Sequence, residues 1–281
     1  METNLSLYDT TCLQCSKVTT KRYSTSFSMG ILSLDKEFRD PVYAVYGFVR
    51  FADEIVDTFH GFDKEKLMDD FENETWKAIQ NKISLNPILH SFQLTVNHYQ
   101  IDHALIRQFI HSMRMDLDRK NHNRESYEEY ILGSAEVVGL MCLHIFTKRD
   151  SEKFHQLKPH AMALGAAFQK INFLRDLNAD YKKLGRSYFP ELNPAQFNQF
   201  QKLKIEKEIK LDFEKGLEGI RMLPKGSRFG VYVAYVYYYQ LFKKIQSSDA
   251  GFVLQNRVRI PNLKKYSLIF SSYFKHAFNL I

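Results

Sequence analysis

Helix breakers are scarce in this chain. Of 281 residues only 12 are glycine and 7 proline, while apolar residues recur at helical spacing nearly throughout. That pattern leaves helix packed on helix as the architecture, because no strand-turn-strand alternation, internal repeat, low-complexity tract or linker interrupts it. One all-α domain over residues 1–281 is expected. Asp40-Pro41 reads as an N-cap followed by proline in the first turn, opening a helix to about Phe59. Ser126-Tyr127-Glu128-Glu129 reads as a capping box that opens another, to about Phe146. Pro159 reads as the start of a third, closed by Gly185 after a basic turn. Further helices are expected near 64–80, 87–99, 102–119, 195–222 and 228–247, and the N-terminal segment also reads as helical.

Composition narrows the partners. Lys and Arg outnumber Asp and Glu by 39 to 32, a net +7 that favours phosphorylated metabolites, an acidic membrane surface or nucleic acid. The basic residues are dispersed rather than striped with aromatics, which argues against nucleic acid. The three cysteines, Cys12, Cys15 and Cys142, and the lack of a basic-then-apolar leader suggest free thiols in a cytoplasmic setting. Cys12-x-x-Cys15 has no second pair to complete a metal site. No apolar run of about 18 residues is apparent, so no membrane-spanning segment is expected. The stretch "FGVYVAYVYYYQLF" (229–242) reads as a core helix or the wall of a greasy cavity.

Two polar stripes stand out against this apolar background. Tyr46, Arg50, Asp53 and Asp57 fall on one helical face among Val42, Val45, Val49, Ile55 and Val56. Gln169, Asn172, Asp176 and Asp180 fall on another, with Arg175 one step round and Ala166, Ala167, Ile171 and Leu174 as neighbours. A single D-x-x-x-D is usually a solvated face. Two of them in separate apolar helices, each joined by arginine or amides, suit hard-cation chemistry. Magnesium prefers oxygen ligands and takes one or two carboxylates plus substrate phosphates, while arginine meets phosphate oxygens through charge-assisted hydrogen bonds. A di-iron carboxylate bundle would want two Glu-x-x-His motifs. The chain has one, Glu152 to His155, which reads as a solvated first turn.

The motifs "YSTSF" (23–27), "DPVYAVYGFVRFADEIVD" (40–57), "YILGSAEVVGLM" (130–141), "AFQKINFLRDLNADYKKLGRSYFP" (167–190) and the late Arg257 occur in the order found in squalene and phytoene synthases, and the chain most resembles bacterial phytoene synthases. The resemblance runs from about residue 15 to residue 265. It implies an isoprenoid-synthase helical fold with a central hydrophobic cavity, and two prenyl diphosphates bound with their heads between the aspartate-rich helices. Carried over by position, Asp53, Asp57, Asn172, Asp176 and Asp180 hold magnesium, or manganese in its place. Arg50, Gln169, Arg175 and Tyr46 attend the diphosphates or the reacting head, Tyr23, Ser24, Thr25 and Ser26 form a substrate-contact segment, and Tyr188, after "KKLGRS", matches a catalytic flap residue near the reacting centre. Tyr239 and Arg257 match a late tyrosine and arginine of the diphosphate pocket, at a spacing that needs a one-residue insertion. Glu136 departs from the pattern, where relatives often have small residues.

The implied reaction is a head-to-head (1-1′) condensation of two geranylgeranyl diphosphates through a cyclopropylcarbinyl diphosphate to phytoene. The rival within the chemistry is squalene or dehydrosqualene synthesis from farnesyl diphosphate, with NADPH needed only if the product is squalene. A non-catalytic assembly protein of the same fold is the other class, and intact aspartates in both motifs argue against it. The basic balance and the greasy product suggest a cytoplasmic enzyme with peripheral contact at the membrane surface.

Overall fold

Residues 4–118, 121–179, 187–190, 197–261 and 272 are described by the structure, a computed structural model, and among them every regular element is helical. The order is α1 (Asn4–Tyr23), α2 (Thr25–Leu32), α3 (Lys36–Asp57), α4 (Lys64–Asn81), α5 (Pro87–Tyr99), α6 (His103–Asp118) and α7 (Arg124–Ile131). A π-helical turn, Leu132–Glu136, leads into α8 (Val137–Thr147), followed by α9 (Ser151–Ala179), α10 (Gln199–Met222), α11 (Lys225–Gln246) and α12 (Ala250–Gln255). One isolated bridge, Asn121 to Ser187, pins the segment carrying Tyr188 beside the start of α7.

Local chemistry explains where the helices begin. Ser24 caps α2 by accepting from the Phe27 N–H at 3.2 Å, and Asn86 caps α5 ahead of Pro87. The capping box of α7 lies one turn earlier than its sequence suggests. Asn123 is the cap and Ser126 the reciprocating residue, each accepting from the other's backbone N–H at 2.8 and 3.1 Å. Both prolines expected to start helices instead sit inside them. Pro41 forgoes the bond to Glu37, yet the turn before it is held by buried Phe38 and by Arg39 Nε donating to the Leu34 carbonyl at 2.8 Å. Pro159 forgoes the bond to His155, and buried Leu157 ties the preceding turns to the core. Tertiary packing overrides the local stop signal at both places. Gly185 lies outside the described residues.

α1 lies on α3 and α5, α2 on α11, and α9 packs along both α8 and α10. Phe48 of α3 anchors the α5 side of the core, stacked on Phe92 at 3.9 Å with Phe71 and Phe109 around it. Each such ring taken from water contributes about 1.5–3 kcal/mol. One stretch, Arg124–Thr147, contains an 18-residue window long and apolar enough to cross a membrane, contrary to the sequence expectation. It is a central helix of the bundle: 56% of that window is buried, and it packs against α3, α6 and α9.

Candidate functional site

α3, α9 and α11 and the α7–α8 stretch, with α2 and the end of α10, enclose a cavity of about 650 Å³. Its two ends differ. One carries Arg50, Asp53, Asn172, Arg175 and Arg257; the other ends in Leu34, Leu143, Phe146, Leu157 and Leu223. The π turn shapes the wall between them. A Cβ on Gly133 would come within 2.5 Å of the Ser112 side chain, and one on Gly165 within 2.7 Å of the Ala135 carbonyl. These glycines let the turn wedge between α6 and α9, presenting Ser134 and Ala135 to the cavity.

Most of the sequence-predicted residues converge here. Tyr23, Ser24, Thr25, Ser26, Tyr46, Arg50, Asp53, Gln169, Asn172, Arg175 and Arg257 all line the cavity. Asp176 stands behind this lining and holds two of its cations: Arg257 Nε lies 2.6 Å from Oδ1 and Arg175 Nη2 2.5 Å from Oδ2. Asp57, one turn beyond Asp53, is outside the lining but close enough for its charge to act on Asp53. Asp180 lies outside the described residues.

Two tyrosines depart from expectation. Tyr239 points away from the cavity, packing edge-on to Phe213 at 5.4 Å and stacking on Tyr235 at 5.6 Å. Its predecessor Tyr238 lines the cavity instead, with its hydroxyl 3.5 Å from Asn172 Oδ1. The helical repeat explains this, since a one-residue shift rotates a side chain by about 100°. Tyr188 is buried behind the wall, stacked on Phe173 at 4.2 Å, and donates to Asp116 Oδ1 at 3.2 Å.

That contact exposes what the sequence reading missed. Asp116 also accepts from Tyr130 at 2.6 Å, and Tyr130 lines the cavity. The available signal was a single acid beside the apolar stripe Ile106, Phe109, Ile110 and Met113 of α6. Glu136, the departure from the family pattern, does not line the cavity. It lies within electrostatic reach of Asp212, Lys170, Lys215 and Glu128, and burial together with Asp212 pushes its carboxyl up to about 7.

The electrostatics favour an anion and a cation together. Arg50 is paired with Glu54, lies 3.8 Å from Asp53, and sits 4.3 Å from the centre of the Tyr23 ring. Among the described residues its Nε is nonetheless buried without a partner, and an unmet buried donor costs about 1–3 kcal/mol. Burial, reinforced by Asp57 and Asp116 and opposed by Arg50, pushes Asp53 up to about 7. One third of its side chain, 33%, still opens to the cavity, so a cation there can return it to the carboxylate. Tyr46, raised to about 12 mainly by burial, keeps its proton and serves as a hydroxyl. Ser134, Gln169, Asn172 and Tyr238 form a chain of polar contacts of 3.3, 3.4 and 3.5 Å across the wall.

Among the described residues no three acids, histidines or cysteines are gathered as a ready-made cage. Asp53 and Asn172 instead offer separate oxygen donors across one cavity. This donor set fits a hard cation that takes only part of its shell from protein.

A sequence profile described as squalene/phytoene synthase matches residues 20–199. Phytoene synthase 1, chloroplastic, of Solanum lycopersicum is 27% identical over 269 residues, covering 88% of this chain and 64% of that protein. The chain thus spans less than two thirds of that relative's length. Phytoene synthase of Arthrospira platensis is 25% identical over 272 residues, 88% of this chain and 87% of that protein. A crystal structure of a dehydrosqualene synthase with a ligand has the same fold, with a TM-score of 0.81 at 23% identity over 95% of this chain and 98% of that one.

Proposed function

The chain belongs to the squalene/phytoene synthase family, whose members are prenyltransferases, and from that premise we propose that it condenses two geranylgeranyl diphosphates head to head to phytoene. The observation that carries this reading is the two-ended cavity, with arginines and oxygen donors at one end and hydrocarbon at the other. The names of the curated relatives favour the twenty-carbon substrate.

Arg50, Arg175 and Arg257 bind the diphosphates, with Arg50 Nε supplying a donor that none of the described residues takes up. Magnesium, or manganese in its place, would be held by Asp53 and Asn172, with the charges of Asp57 and Asp176 behind them, and when bound supplies charge that stabilises the departing diphosphate. The apolar walls keep water from the allylic cation left behind. Tyr130, held by Asp116, and the Phe168–Tyr238 stack, at 4.1 Å, offer aromatic surface towards the reacting chains. The second chain attacks through its double bond and loses a proton as the three-membered ring closes, giving the cyclopropylcarbinyl diphosphate. Its ionisation, rearrangement and loss of a proton complete the product without a reductant. Peripheral contact with an anionic membrane surface, which would receive the hydrocarbon, belongs to the same proposal.

The test is incubation with geranylgeranyl or farnesyl diphosphate and magnesium, with and without NADPH, followed by mass spectrometry of the extracted hydrocarbon. A forty-carbon product without NADPH is expected. A thirty-carbon product alone overturns the choice of substrate, and no hydrocarbon from either overturns the reaction.

A further inference from the structure

Beyond the apolar end of the main cavity lies a second, smaller one of about 310 Å³. It is built from the starts of α3, α9 and α11 and the end of α8, the same four helices that wall the main cavity. Among the described residues, Phe146 is the one that borders both. From Tyr130 at the polar end to Phe146 the chain advances about 24 Å, at roughly 1.5 Å per residue. A prenyl tail running down the cavity therefore meets Phe146 at its far end.

We propose that Phe146 is the floor of the prenyl cavity and sets the longest chain that the site accepts. This rests on the prenyltransferase reading above. The ring is held in place: it packs T-shaped with Phe38 at 5.7 Å and 90°, and it is 8% exposed. Phe38 is itself capped by Lys148, whose Nζ lies 5.2 Å from the ring centre and pairs with Glu37 at 2.7 Å. The backbone below is equally fixed. Lys148 and Arg149 both adopt positive φ in the turn after α8, and the Asp35 N–H donates to the Gly226 carbonyl at 2.9 Å.

The floor also marks a change of solvent. The outer cavity holds Asp35, Glu37, Lys148, Asp150 and Lys153, so a tail pushed past Phe146 would trade apolar contact for charged, hydrated groups. A longer substrate thus faces a steric stop first and a polar one behind it. Shortening the side chain joins the two spaces, and enlarging it raises the floor.

The experiment measures kcat/KM for all-trans prenyl diphosphates of fifteen, twenty and twenty-five carbons in the wild type, Phe146→Ala, Phe146→Leu and Phe146→Trp. Calorimetric binding of the corresponding thiodiphosphates runs alongside. Phe146→Ala is expected to raise the twenty-five to twenty-carbon ratio at least tenfold, Phe146→Leu to raise it less, and Phe146→Trp to raise the fifteen to twenty-carbon ratio. Lys153→Ala, altered only in the outer cavity, should leave twenty-carbon turnover unchanged. Should Phe146→Ala melt below the assay temperature, the Leu and Trp variants carry the test. Unchanged ratios across the folded variants, in turnover or in binding, overturn the floor assignment. A wild type that makes no hydrocarbon overturns the reaction instead, while the binding ratios still decide the floor.

Discussion

The two aspartate-rich helices look alike in sequence and differ in electrostatics. On α9, Asp176 is neutralised by two arginines, Arg175 and Arg257. Burial alone would weaken Arg175's hold on its proton, but the bond to Asp176 more than offsets it and raises its pKa. On α3 the corresponding cation is diverted. Arg50 pairs with Glu54 and stays 3.8 Å from Asp53, so its pull does not offset the burial that pushes that carboxyl up to about 7. One helix presents a satisfied acid that organises cations. The other presents an acid that still lacks a cation, and this asymmetry suits a site that must bind an anion and a metal together.

Removing each acid breaks the comparison most sharply. Asp53→Asn and Asp176→Asn should each cut turnover by about 10²–10³-fold, the scale for losing one electrostatic element of such a site. Their stabilities should move in opposite directions. A folded-state pKa above the ordinary 3.8 means that Asp53 costs stability progressively as pH rises from about 4 to 7, and fully above that. Metal-free Asp53→Asn should therefore be more stable than wild type at pH 8 by about 1–2 kcal/mol, after discounting for its open face. The gain should vanish near pH 4. Asp176→Asn strands two guanidinium groups and should lose about 1–3 kcal/mol at neutral pH. Thermal melts check both, and matching shifts of one sign would show that the two acids are equivalent.

A smaller effect separates two neighbours on α11. Tyr238→Phe removes the hydroxyl 3.5 Å from Asn172 and should lower kcat/KM about tenfold, the order of one hydrogen bond. Tyr239→Phe, whose ring packs on Phe213 outside the cavity, should stay within twofold. Steady-state kinetics on the two variants decides it, and the reverse order would put Tyr239 at the diphosphates.

What the sequence made legible follows from which forces are local. The stripes on α3 and α9 were readable because helical spacing alone puts Arg50 with Asp53, and Gln169 with Asn172, on one face. The all-helical class was readable from the scarcity of breakers. Pro41 and Pro159 misled because packing of Phe38 and Leu157 fixes the turns before them. The choice between Tyr238 and Tyr239 hangs on helix rotation, which an aromatic-rich run such as "VYYYQ" leaves undetermined. Asp116 and Tyr130 meet across 14 residues and the start of a new helix, a contact that only the tertiary fold creates. Phe146, at the end of α8, acquires its position from the starts of α3, α9 and α11, which only the tertiary fold brings to it.

Glu136 offers the mildest test, because it matches Asp53 in titration and not in setting. Burial and Asp212 raise it to about 7, while Lys170 and Lys215 pull the other way. Lys170 is already committed to Asp212 at 2.8 Å, so two acids share one close cation. The sign is that of Asp53: the protonated form suits the fold, and stability is lost as pH rises from about 4.5 to 7. Glu136→Gln should therefore raise the melting temperature at pH 8 by a few degrees, about 1 kcal/mol for a chain of this size, with no gain at pH 4.5. Turnover should stay near wild type, because Glu136 faces away from the cavity that Asp53 lines. A turnover loss comparable to that of Asp53→Asn would mean that a raised carboxyl pKa here marks the reacting site on both sides of the π turn, and that position relative to the cavity does not separate them.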